Sequence, residues 1–254
     1  MNFLNSSLRC FSALSNPLHE AKGWMHPDLR IVCVPAALGI LLLAHTSGQG
    51  ATLPELTVPG PSRDAMQARH EASLKRNPKN LIALRELGII EHMRVVEGKE
   101  TEPKLITSAY ELLKKAYLQD KTHPLTMAYY GSITTMMALT TERQMSKLKH
   151  VKSGTRKLDK AVRLVPDDVN VRMVRGNNSL GLPKFLKRSR LAVKDFRHVL
   201  KLLPSASAEF RAELHYKISR GYSLMDDEKQ AEIHRKKAAQ IAPDSDFVKM
   251  AQSN

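Results

Sequence analysis

The chain has 254 residues, is 42% hydrophobic but only 5% aromatic, and carries a formal charge of +15. Its two cysteines, Cys10 and Cys33, lie near the N-terminus, which excludes a disulfide framework or a thiolate metal site in the body of the protein. With so little aromatic bulk the core must be built from Ala, Leu, Val and Ile, which suits stacked helices better than one large globular core.

In chain order, the first marked segment is Ile31 to Ala44, IVCVPAALGILLLA, fourteen residues without a charge behind Arg30. Small and polar residues follow from His45 to Ala51. A positive flank, a short apolar core and a small-residue exit form the pattern of a secretory signal, with an exit after Gly50. A membrane-spanning helix needs about 20 apolar residues, and Pro35 weakens one further. The expectation is an exported protein of the periplasm or cell envelope, with 1–51 as N-terminal extension and signal. A retained anchor and a misread cytosolic segment are the alternatives. The pattern is more usual counted from Met25 than from Met1. Residues 52–62, TLPELTVPGPS, hold three prolines and a glycine and read as an extended linker.

From residue 63 to 254 the apolar spacing is helical. Ile82, Leu84, Leu87, Ile89 and Ile90 mark one helix; Leu105, Ile106, Ala109, Leu112, Leu113 and Ala116 mark the next. Breaks fall at Asn77-Pro78, His123-Pro124, Pro166-Asp167-Asp168, Leu182-Pro183, Leu203-Pro204 and Pro243-Asp244, and no stretch alternates with the period of a strand. Three segments superpose: Gly154, Leu158, Ala161, Pro166; Ala192, Phe196, Val199, Pro204; and Ala231, Arg235, Ala238, Pro243. They recur 38 and 39 residues apart. The small residue allows two helices to approach, the large one fills the gap between hairpins, and the proline ends the helix because the residue before it avoids the α region.

This spacing resembles the second helix of a tetratricopeptide repeat, A-x3-F-x2-A-x4-P. The first helices match through Leu87-Gly88 and Tyr130-Gly131, with Gly176 and Ser219 as the later small residues and Tyr222 as the aromatic that follows in the last unit. The family's tryptophan is absent, and two units are over-long near Leu139–Lys147 and Leu182–Ser189. The resemblance implies an all-α solenoid of about four stacked helix-turn-helix hairpins, with the tail SDFVKMAQSN as a capping helix. A non-repetitive helical bundle is the alternative.

Nothing in the chain reads as catalytic. The histidines form no i, i+4 pair, and phosphate-binding, dinucleotide-binding and nucleophile-elbow motifs are absent from the sequence. Asp167-Asp168 and Asp226-Asp227 stand at helix starts, where capping accounts for them. The expectation is a protein-binding scaffold without cofactor, metal or small-molecule substrate. The resemblance implies a groove lined by first helices, placing Arg85, Ile89, His92, Ser132, Thr135, Asn177, Tyr216 and Arg220 near a bound peptide.

Charge is concentrated. Between Glu142 and Lys201 there are 17 Lys or Arg against 5 Asp or Glu. A field of this size draws an anionic partner or membrane surface, with Lys184, Lys187, Arg188 and Arg190 as the candidate patch. The plain alternative is a solvated outer face of the second helices. Nucleic acid is not expected, since no aromatic residues are interleaved for base stacking.

Overall fold

The computed structural model describes residues 61–98 and 103–252; the Ile31–Ala44 segment, its expected exit and the linker as far as residue 60 lie outside them. All regular structure among the described residues is helical. In chain order the α-helices are α1 (Pro61–Arg76), α2 (Leu81–Val96), α3 (Pro103–Gln119), α4 (Pro124–Met136), α5 (Gln144–Leu164), α6 (Val169–Gly181), α7 (Ser189–Leu202), α8 (Ala208–Ser223), α9 (Glu228–Ile241) and α10 (Asp246–Gln252). Short 3-10 turns at Met137–Thr140 and Lys184–Leu186 occupy the two over-long connections. Helix α1 begins at Pro61, so the last two residues of the expected linker belong to its first turn.

Starts and stops follow the local chemistry. Asn80, Asp168 and Ser207 cap α2, α6 and α8 by accepting the N–H of the third residue on (Ala83, Val171, Phe210), satisfying a donor that the helix cannot. His123 does the same for α4, its Nδ1 accepting from the Thr126 N–H at 3.1 Å. Asp227 caps α9.

Helices α2/α3, α4/α5, α6/α7 and α8/α9 pair as four hairpins, and each hairpin packs on the next. Glycines set how closely the partners approach. A Cβ on Gly131 would lie 2.9 Å from the Gly154 carbonyl oxygen, and one on Gly154 would lie 2.8 Å from the Thr135 backbone nitrogen. Leu158 sits beside these contacts, and Phe196 sits against Gly176 in the next hairpin, both fully buried. Complete burial of such side chains contributes about 1.5–3 kcal/mol each.

The core is continuous along the array. Val171 and Val174 of α6 join the interior of the first two hairpins, while Val169 and Leu180 of the same helix join that of the last two. In the fourth hairpin the repeat spacing does not imply burial: Arg235, at the position of Leu158 and Phe196, lies half-exposed and pairs with Glu228 and Glu232.

The two ends are closed differently. At the C-terminal end α10 lays Phe247 and Val248 (2% and 3% exposed) against α8 and α9. At the other end α1 is polar and docks on α2 by two ion pairs, Arg63 to Glu97 at 2.7 Å and Asp64 to Arg94 at 2.9 Å, and by a polar contact of His70 with Glu86 at 2.8 Å. Ser73 stands five residues before Pro78, the spacing that separates Ala161 from Pro166. Thus α1 occupies the place of a second helix in a preceding half-unit.

Candidate functional site

The first helices of the four hairpins, α2, α4, α6 and α8, carry all eight residues expected at a groove. Three of those residues form a buried polar lock. The His92 Nε2 of α2 lies 2.8 Å from Ser132 Oγ of α4. From α6, Asn178 donates to Ser132 Oγ at 3.3 Å and to Thr135 Oγ1 at 2.6 Å, and Thr135 donates in turn to the Ser132 carbonyl. All four side chains are at most 7% exposed. Burial pushes the His92 pKa down to about 4, so the imidazole is neutral near pH 7. A histidine and a serine at this distance could form a nucleophilic pair, but both lie beneath the surface, and their chemistry here is to pin three consecutive first helices together.

Ile89 is 1% exposed and belongs to the core, so it cannot touch a partner. The neighbouring first helices approach closely enough to cover it, and they cover His92, Ser132 and Thr135 in the same way. What stays open is Arg85, Asn177 and Arg220, all half-buried, with Tyr216 at the edge of burial beside Phe247. Arg85 Nη1 lies 3.2 Å from His123 Nε2, which joins the first two units at this face.

A second polar cluster lies inside the third hairpin. Asp195 of α7 is fully buried and accepts from Arg172 Nη1 (2.8 Å), Arg175 Nε (2.8 Å) and Arg175 Nη2 (2.7 Å). The remaining Nη1 of Arg175 reaches Asp159 of α5 at 3.3 Å, and Arg188 grips Asp159 with two bonds of 2.8 Å. The arginines beside Asp159 hold its carboxyl below the usual range against the opposing effect of burial.

One solved structure shows the same chain path. The protein TTC0263 from Thermus thermophilus, described as a thermophilic TPR protein, superposes with a TM-score of 0.56 over 75% of this chain and 89% of its own, at 18% identity. The fold is that of a tetratricopeptide repeat array. YrrB, described as a TPR protein with an unusual peptide-binding site, is 18% identical and gives a TM-score of 0.48 over 76% of this chain and 86% of its own. MamA is 17% identical, with a TM-score of 0.47 over 72% of this chain and 85% of its own. No protein-family model matches the chain, and neither does any curated protein sequence.

Within the tetratricopeptide array, the expected cationic patch divides. Arg188 is spent on Asp159, and Lys184 pairs with Asp226. Lys187 and Arg190 are exposed. Arg188 is therefore a clamp between the second and third units rather than a surface cation. Two groups escaped the sequence reading. Asn178, not Asn177, enters the polar lock, and nothing in the run Gly176-Asn177-Asn178-Ser179 tells them apart. Asp195 carried a signal: it stands between Ala192 and Val199 on the apolar stripe of α7, where a carboxylate needs buried cations. Among the described residues no group of three or more His, Cys, Asp or Glu could hold a metal, and no helix is long and apolar enough to cross a membrane.

Proposed function

We propose that this chain is a non-catalytic protein-interaction scaffold of the cell envelope, taking a peptide or a segment of a partner protein along its first-helix face. The observation that carries the reading is the pinning of α2, α4 and α6 by His92, Ser132, Thr135 and Asn178. A face fixed before the partner arrives costs little ordering on binding. Arg85, Asn177 and Arg220, on the first, third and fourth units, then offer donors suited to the carbonyls or carboxylates of an extended segment. The envelope location rests on the signal-like pattern of residues 31–51.

Capture of partners from envelope extracts tests the binding. The wild-type chain is expected to retain a defined protein that an Arg85→Glu, Asn177→Glu double variant loses while keeping its helical circular dichroism; equal capture by both would overturn the groove. Fractionation with N-terminal sequencing tests the location. A mature start near Ala51 or Thr52 in the envelope supports export, and an intact N-terminus in the cytosol overturns it.

A further inference from the structure

All five carboxylates between Glu142 and Lys201 are already engaged. Glu142 lies 3.8 Å from Lys147, Asp159 holds Arg175 and Arg188, Asp167 meets His198 at 2.7 Å, Asp168 caps α6, and Asp195 is sealed between Arg172 and Arg175. The cations they answer are for the most part buried or half-buried. Those on the outer faces of the second helices are left uncompensated.

On α5, Lys149, Lys152, Arg156, Lys160 and Arg163 follow one another at three- and four-residue steps, opposite the buried stripe of Val151, Gly154, Leu158 and Ala161. On α7, Arg190, Lys194, Arg197 and Lys201 do the same, opposite Ala192, Phe196 and Val199. All nine are exposed, and among the described residues none is in ion-pair range of a carboxylate. The two helices are second helices of consecutive units, clasped through Asp159 and Arg188. Apolar side chains flank the charge. Met145 and Leu148, 78% and 39% exposed, lead into the α5 stripe, and Leu164, 49% exposed, ends it.

We propose that this outer face of the second and third units is a docking surface for a bilayer bearing anionic phospholipid headgroups. Lysine and arginine beside exposed Met and Leu are what an interface of headgroups and upper acyl chain accepts. The stripes hold no aromatic residue on which a nucleic-acid base could stack. The face lies on the second helices, apart from the first-helix groove, so the proposal goes beyond the scaffold reading and can hold or fail without it.

The test is co-sedimentation of the full-length chain with phosphatidylcholine vesicles and with equimolar phosphatidylcholine–phosphatidylglycerol vesicles. Any affinity of the apolar Ile31–Ala44 stretch for membranes is common to both and cancels in the comparison. The wild type is expected to prefer the anionic vesicles. A Lys152→Glu, Arg156→Glu, Lys194→Glu, Arg197→Glu variant should lose that preference by on the order of a few hundred-fold, at about fivefold per cation near the surface. The four-fold Gln variant at the same positions serves if the Glu variant does not fold. Met145→Ser with Leu148→Ser should weaken binding and make the remainder more salt-sensitive. Equal binding to both vesicle types would overturn the proposal. So would undiminished binding by the folded charge variants, or a wild type that leaves anionic vesicles for an RNA or DNA duplex in competition.

Discussion

Asp195 and its two arginines make a buried charge group that cannot lose one member cheaply. Removing the carboxylate strands Arg172 and Arg175 away from water. Asp195→Ala is therefore expected to cost about 3–5 kcal/mol in chemical denaturation, the range for breaking a buried ion pair. The neutral histidines give a second residue-scale prediction. His92 is pushed down to about 4 by burial, and His234 to about 4 by burial first and then by His215, Lys237 and Arg197. The unfolded chain takes up these protons at higher pH than the folded one. Their contribution to stability is then full above about pH 6.5 and falls as the pH drops towards 4. Melting temperatures across that window should show a shallower acid slope for His92→Gln than for the wild type; identical slopes would mean that His92 does not bind its proton on unfolding.

At the scale of the helix pair, the glycines decide how close the hairpins stack. Alanine favours a helix interior by about 1 kcal/mol over glycine, yet Gly154→Ala is expected to destabilise by about 1–3 kcal/mol, because its methyl group meets backbone atoms of Gly131 and Thr135 that cannot swing aside. A stabilised Gly154→Ala protein in thermal melts would show that α4 and α5 are free to move apart. This dependence explains which elements were legible. Second helices announce themselves because close approach demands a small residue, and a proline must end each turn. Arg235 departs from this: among the described residues the short α10 is what packs beyond the fourth hairpin, and the charged side chain that stands in the place of Phe196 turns to Glu228 and Glu232. First-helix faces are less legible. Whether Ile89 or Ser132 is groove or interior depends on how tightly α2, α4 and α6 approach one another, which no single helix encodes.

Over the whole molecule, polar chemistry is sorted by face. The first-helix side is pinned by neutral groups, His92, Ser132, Thr135 and Asn178, and leaves Arg85, Asn177 and Arg220 open at its surface. The second-helix side of α5 and α7 bears the uncompensated cations. The sequence located the surplus charge but not its sorting, since only the fold shows Asp159 and Asp195 drawing Arg172, Arg175 and Arg188 inward. The central claim is that a partner protein lies along the first-helix face. The most direct measurement is in-cell photo-crosslinking, with a photoreactive residue at Asn177 compared with one at Lys194. A partner in the groove gives a discrete protein adduct from position 177 that position 194 does not give. No adduct from position 177, or the same adduct from both, would contradict the claim.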